Sequence, residues 1–333
     1  MGSEPIICVE SLVKEFRRTK QQSGRFSAIR TLLTRERTVS RAVDGISFGI
    51  PEGELVGYLG PNGAGKSTTI KILTGILMPT SGTVHVAGIV PWRERKRNAA
   101  QIGVVFGQRT QLWWDLPLSD SLELVGRLYE IPPPRFRFNL KLFTELLELG
   151  PFLSTPVRQL SLGQRMRGDL AAAMLHSPRI LFLDEPTIGL DVVAKERIRS
   201  FIYELNKEQG TTVILTTHDL DDVERLCQRV LLITDGSVLF EGDVESLKNM
   251  HTRERDLIIR LPPGSESIEL ANFASARIVD ESGDLTRVRF NPQSLPITEL
   301  VSFLLSKYAI VDFSVKEPEL EEVVRNIYAA RSL

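Results

Sequence analysis

An α/β fold on a parallel sheet, followed by a small α+β domain, is what this 333-residue sequence predicts, and three observations carry the prediction. The first is a glycine-rich loop, Gly60-Pro61-Asn62-Gly63-Ala64-Gly65-Lys66-Ser67-Thr68, set between the apolar run 55–59 and the helix-like segment 66–77. Strand, loop and helix in that order make a cradle whose backbone N–H groups face an anion. The second is a pair of continuous apolar or β-branched runs, 180–183 and 212–216, separated by a helical segment at 192–207. Such runs fit strands buried on both faces of a parallel sheet. The third is a change of character beyond Gly242, where strand-like segments at 257–261, 286–290 and 310–315 interleave with helix-like ones at 267–276, 297–306 and 319–329.

Taken in order, residues 6–9 read as a strand and residues 42–50 as another, with Ile46, Phe48 and Ile50 alternating. Between them the insert 17–41 carries eight basic side chains (Arg17, Arg18, Lys20, Arg25, Arg30, Arg35, Arg37, Arg41) against a single acid, Glu36. Phe26, Ile29, Leu32 and Leu33 fall at helical spacing within it. Two readings stay open: a solvated loop, or a short basic amphipathic helix that touches a membrane surface or a partner. Residues 83–86 and 102–106 read as strands and 118–129, 140–149 and 164–175 as helices, with Pro132-Pro133-Pro134 breaking that series. The expected domains are 5–245, including a helical subdomain at about 110–175, and 255–333.

Apolar residues make up 42% of the chain and charged ones 25%, the balance of a folded protein with a sizeable core. Lysine plus arginine, 41, nearly cancels aspartate plus glutamate, 42, so net charge gives no argument for a nucleic-acid partner. No apolar stretch reaches the roughly 18 to 20 residues needed to cross a bilayer, and residues 1–11 lack the basic and apolar regions of a signal peptide. A cytosolic, reducing setting is expected, with Cys8 and Cys227 as inert small apolar side chains.

The chemistry starts in the loop. Gly63 and Gly65 permit its tight turn, Lys66 reaches the terminal phosphates, and Ser67 offers a ligand to Mg²⁺. Thr68 and Thr69 follow at the positively polarised helix start. The run 180–183 ends in Asp184 and Glu185, which brings both carboxylates to the carboxyl edge of the sheet, where the loop also opens. Asp184 suits a hydrated Mg²⁺, and Glu185 suits the polarisation of a water in line with a γ-phosphate. The alternative is two exposed acids at a strand end.

The phosphate loop, Leu160-Ser161-Leu162-Gly163-Gln164, the strand ending Asp184-Glu185, Gly189-Leu190-Asp191 and His218 stand in the order of the ATP-binding-cassette ATPases. Residues 5–245 resemble that family, which implies an ABC-type P-loop NTPase domain that hydrolyses ATP with Mg²⁺. Leu160 to Gln164 resembles the family signature, Leu-Ser-Gly-Gly-Gln, with Leu162 in place of the first glycine and Ser161, Gly163 and Gln164 retained. The resemblance implies that this element meets the γ-phosphate held by a second cassette, identical or paralogous, so that two copies close head to tail round two ATP. It further implies Gln108 as the glutamine that senses Mg²⁺ and the attacking water, His218 as the histidine on the γ-phosphate, and Asp191 as a residue of the dimer interface. Phe16 stands where the family stacks an aromatic on adenine, with core packing as its alternative.

One cassette without a membrane span resembles a separate subunit, peripheral to the cytoplasmic face of the membrane, that docks on multi-pass permease subunits. Trp113 and Trp114 fall where the family receives the partner's coupling helix; one of them lies in that groove, or both pack internally. Glu317-Pro318-Glu319-Leu320-Glu321-Glu322-Val323 resembles the tail of cassettes that serve exporters of drugs, lipids or polysaccharides, and fits an acidic helix start equally well. The rival classes are an importer subunit and a cassette acting on nucleic acid or the ribosome. The second nucleotide domain or long coiled coil of the latter is not found here, so no direct nucleic-acid partner is expected.

Overall fold

Apolar residues alternate along the first two strands, β1 (Ile7–Thr19) and β2 (Arg37–Ile50), and one face of each enters the core through Ile7, Val9, Leu12, Ile46, Phe48 and Ile50. β3 (Leu55–Leu59) differs: all five of its residues are buried. β1 pairs antiparallel with β2 and with β4 (Ser81–Val86) in a three-stranded sheet ordered β2-β1-β4. β3 instead belongs to a six-stranded sheet with β5 (Ile102–Phe106), β6 (Ile180–Asp184), β7 (Thr212–Thr217), β8 (Arg229–Thr234) and β9 (Ser237–Asp243). Its order is β5-β6-β7-β3-β8-β9, and the pairs β5/β6, β6/β7, β7/β3 and β3/β8 are parallel. Parallel neighbours on both sides and helices on both faces explain why β3, β6 and β7 have no polar face to show.

The computed structural model describes residues 4–19, 37–107, 109–251, 254–270, 273–316 and 320–331, and the chain divides into two units, Met1–Gly242 and Asp243–Leu333. In the first, seven α-helices connect the described strands: α1 (Lys66–Leu73), α2 (Arg95–Gln101), α3 (Leu118–Leu128), α4 (Pro133–Leu146), α5 (Leu162–Met174), α6 (Val192–Gln209) and α7 (Leu220–Leu226). The mixed α/β architecture is that of a P-loop NTPase.

Several elements depart from the sequence expectations. The insert 17–41 is shorter than expected, because β1 runs on to Thr19 and β2 begins at Arg37. The pairing Glu15↔Arg41 carries a hydrogen-bonded ion pair, Arg41 Nη2 to Glu15 Oε1 at 2.9 Å, that favours the ribbon. Phe26, Ile29, Leu32 and Leu33 lie outside the described residues. The prolines do separate α3 from α4, and Pro133 and Pro134 also open α4, seven residues before the expected start at 140, where a missing N–H removes no helical bond. α7, β8 and β9 were not anticipated.

In the second unit, the sheet β11-β12-β10-β13 comprises β10 (Arg255–Arg260), β11 (Ala276–Ser282), β12 (Leu285–Phe290) and β13 (Asp312–Lys316). Leu257, Ile259, Val288 and Phe290 form its core with Leu300 and Leu304 of the helix α9 (Ile297–Lys307). On β12, Arg289 bridges Asp256 at 2.7 Å and Glu322 of α10 (Leu320–Arg331) at 2.8 Å; α10 contacts α8 (Val244–His251). The expected helix at 267–276 is absent among the described residues. Ile268 is buried and Leu270 packs against the same core from non-helical chain, and Ala276 already belongs to β11. Apolar spacing there reflects burial of a covering segment, not helical turns.

Candidate functional site

The carboxyl ends of β3, β6 and β7 lie side by side, with Leu59 paired to Thr217 and Asp184 to Thr216. Three separate stretches of sequence therefore deliver their next residues to one edge. After β3 the chain turns through the glycine loop. Gly65 has φ +103, and a Cβ there would lie 2.3 Å from the carbonyl oxygen of Ala42, so only glycine fits. A Cβ on Gly60 would lie 2.5 Å from the carbonyl oxygen of Ile233. α1 then starts with no side chain capping it, which leaves its amino end to a ligand.

Lys66 is 7% exposed, and its Nζ donates to the carbonyls of Gly60 at 2.5 Å and Pro61 at 3.2 Å. Burial lowers its pKa, while the negative charges of Glu185 and Asp184 act the other way. The ammonium is held in the loop's own concavity, where an anion can take over its hydrogen bonds. Tyr58 beneath donates to Thr69 Oγ1 at 3.2 Å, and Thr69 donates to the Gly65 carbonyl at 3.2 Å, which ties α1 to β3.

Asp184 is the meeting point of two hydroxyls. Its Oδ1 accepts from Thr216 Oγ1 at 2.6 Å and from Ser67 Oγ at 3.3 Å. A hydroxyl and a carboxylate oxygen this close suit a hard cation such as Mg²⁺, which takes few protein ligands and leaves the rest to phosphate and water. Glu185 follows at φ +57, a left-handed backbone held by its N–H donating to the Thr216 carbonyl at 2.9 Å. Its Oε2 accepts from His218 Nδ1 at 2.6 Å and from the His218 backbone N–H at 3.4 Å. Gly107 donates to the Asp184 carbonyl at 2.7 Å, and a Cβ on Gly107 would collide with Glu185, 2.1 Å from its carbonyl oxygen. Gln108, the next residue, lies outside the described residues.

A cavity of about 520 Å³ opens over this edge, lined by Pro61, Asn62, Gly63, Gly65, Lys66, Ser67, Thr68, Asp184 and Glu185. Ala42, Lys71, Ile76, Phe106, Gly107 and Arg109 complete it. None of these six was singled out from the sequence, and neither was Thr216; its signal was a hydroxyl one strand away from Asp184 in register. Phe16 is not part of the lining. It is 36% exposed on β1, with Lys14 Nζ 5.2 Å from its ring centre.

Ser161, Gly163 and Gln164 are also outside the lining. Ser161 caps α5: its Oγ accepts from the Gln164 N–H at 3.2 Å, and Gln164 Oε1 accepts from the Ser161 N–H at 2.9 Å. This capping box fixes the helix start. Leu162 sits in the first turn of α5, and its Cδ2 would lie 3.2 Å from a Cβ on Gly189, which has φ +72. The leucine that departs from the family signature thus lies over a glycine before Asp191. Asp191 in turn caps α6, accepting from the Ala194 N–H at 2.8 Å. Trp113 and Trp114 are 41% and 49% exposed, which excludes internal packing of both.

The family model for ABC transporters matches residues 43–188. The ABC transporter ATP-binding protein NatA of Bacillus subtilis is 32% identical over 212 residues, which cover 64% of this chain and 86% of that protein. The Nod factor export ATP-binding protein I of Ralstonia nicotianae is 35% identical over 251 residues, covering 74% of this chain and 70% of that one. Among solved structures, the ATP-binding cassette MJ0796, a dimer in a post-hydrolysis state bound to ADP and Pi, gives a TM-score of 0.60 at 27% identity. That match covers 72% of this chain and 98% of the other. Likeness at this identity, extending over most of the relatives' length, makes this chain a member of the ABC transporter family, an ATP-binding subunit that hydrolyses ATP.

Proposed function

We propose that this chain drives export through separate multi-pass permease subunits, at the cytoplasmic face of the membrane, as a head-to-tail pair of cassettes closed round two ATP. The observation that supports the pairing is a separation within one chain. Lys66, Ser67, Asp184 and Glu185 line a single cavity, whereas Ser161 and Gly163, at a ready-made anion-binding helix start, do not. The helix start of one copy therefore serves the nucleotide of the other, whether that copy is identical or a paralogue.

Within each site the backbone of residues 60–68 wraps the phosphates and Lys66 meets the terminal ones. Ser67, Asp184 and Gln108 would hold Mg²⁺, which when bound draws negative charge from the phosphate oxygens. Glu185 accepts the proton of the attacking water, and His218, which here donates to Glu185, turns to the γ-phosphate. Asp191 stands at the same interface as Ser161. Among the described residues no helix is long and apolar enough to cross a membrane, which fits a division of labour with permease subunits.

The direction rests on the likeness to the Nod factor export protein. Deleting the gene and comparing small molecules in cells and medium tests it. Export predicts a compound that disappears from the medium and accumulates inside; accumulation in the medium instead would establish an importer.

A further inference from the structure

The two edges of the sheet in the second unit are built differently. β11 carries a register shift between Ile278 and Asp280, and Asp280 and Glu281 sit on it, which are devices that prevent another strand from adding. β13, at the opposite edge, pairs with β10 without any register shift and is exposed along its whole length, Asp312–Lys316. Its register puts Phe313 opposite Ile259 and Val315 opposite Leu257, both core residues, so the two apolar side chains extend the core face. They remain 44% and 38% exposed.

The order of residues in β13 is self-complementary. An antiparallel pair of two such strands centred on Ser314 sets Asp312 against Lys316 of the second copy, Phe313 against Val315, and Ser314 against itself. Both ends gain an opposite-charge pair and both apolar residues gain a cross-strand partner. Neither Asp312 nor Lys316 has an ion-pair partner among the described residues, so both are free to do this. A two-fold axis through Ser314 gives a closed, isologous contact, so the sheet grows from four strands to eight and stops.

We infer that the second unit is a self-association module, in which β13 of two copies of this chain pairs antiparallel about Ser314. The contact is independent of nucleotide and of the cassette pairing proposed above.

The test uses the full-length chain without ATP, in a Cys8→Ser background. In the paired strands the two Ser314 Cα atoms stand about 4.5 to 5.5 Å apart, within the range a disulfide spans. Ser314→Cys should form a covalent dimer under mild oxidation, and Ser282→Cys on β11 should not. Asp312→Lys and Lys316→Asp, each alone, set like charges opposite and should weaken self-association about tenfold. An equimolar mixture of the two variants restores opposite charges and should recover it, measured by light scattering. The inference is overturned if Ser314→Cys cross-links no more than Ser282→Cys, or if the mixture associates no better than either variant alone. It is equally overturned if β13 captures a strand of another protein while the chain itself stays monomeric.

Discussion

The Nδ1 of His218 lies 2.6 Å from Oε2 of Glu185, so the two side chains satisfy each other. For His218 to reach a γ-phosphate as proposed above, it would first have to release this carboxylate. Glu185→Gln keeps the shape and removes the proposed base. ATP binding should persist, phosphate release should fall by at least about 100-fold, and an ATP-bound dimer should accumulate on gel filtration. Undiminished phosphate release would remove Glu185 from the role of base.

Two glycines of the loop should respond differently to one methyl group. At Gly65 an added Cβ meets the Ala42 carbonyl at 2.3 Å with φ at +103, whereas at Gly63, with φ +87, nothing lies within 4 Å. Gly65→Ala should abolish nucleotide binding and cost several kcal/mol of stability, against about 1 kcal/mol for Gly63→Ala from backbone strain alone. Thermal melts with and without ATP would separate them. Equal effects would mean that strain, not the collision with Ala42, governs the loop.

The chain from α5 to β6 holds two opposed titrations. Burial pushes the Asp169 carboxyl up to about 6, against hydrogen bonds from the Gln111 N–H and Thr110 Oγ1. Burial also holds His176 down to about 4; its Nε2 donates to the Ile102 carbonyl at 3.0 Å, and its buried Nδ1 has no hydrogen-bond partner among the described residues to receive a second proton. From the ordinary carboxylate value of 3.8 to about 6, folded Asp169 keeps a proton that the unfolded chain has lost, so its contribution falls as pH rises. From about 4 to 6.5 the unfolded chain binds a proton that folded His176 refuses, so that contribution rises with pH. Each is worth up to about 3 kcal/mol, and they largely cancel. Asp169→Asn removes only the falling one. Urea denaturation at both ends of this window should show the variant gaining stability steeply with pH where the wild type is nearly flat; parallel profiles would refute the opposition.

Asp222 is fully buried and joins three elements: it accepts from Arg199 Nε of α6 at 2.6 Å and from the Thr187 hydroxyl, two residues past Glu185. Asp222→Ala removes the buried partner of Arg199 and leaves it Asp221 at 2.9 Å, and should lower stability by about 1 to 3 kcal/mol in denaturant unfolding. Loss of the Thr187 tether should also slow ATP turnover of the folded fraction. A change below about 1 kcal/mol would show that Asp221 alone compensates Arg199.

With both tryptophans about half exposed, Trp113→Ala and Trp114→Ala should leave basal ATPase intact and reduce permease-stimulated ATPase several-fold. The Arg165 guanidinium lies over the Trp114 ring, 5.4 Å from its centre. Parallel loss of basal and stimulated activity would show that the pair supports the fold of the cassette itself and not a partner.

Strands buried on both faces were legible because burial leaves a signal in every residue: residues 102–106 read as the strand that β5 is. β8 carried the same signal in Val230, Leu231, Leu232 and Ile233, which went unread. The outer half of β1, Lys-Glu-Phe-Arg-Arg-Thr, gave none, since pairing there draws on cross-strand charge instead of a buried face. The prolines marked the break between α3 and α4, but their fitness for a first helical turn, which starts α4 at Pro133, went unread. In the site, sequence order brought out the loop and the two carboxylates. The supporting contacts of Thr216, Gly107 and Thr187 depend on strand register and are visible only once the sheet is assembled.

The capping box at Ser161 and the seat of Leu162 over Gly189 have a consequence for the speed and strength of closure. If this helix start meets the nucleotide of a second copy as proposed, its shape is set beforehand, and little disorder would be lost when two copies meet. Leu162 trades the suppleness of glycine for a wedge between α5 and the turn before α6. Packed this way, the two elements would move together, and the proposed grip on ATP would be all-or-none.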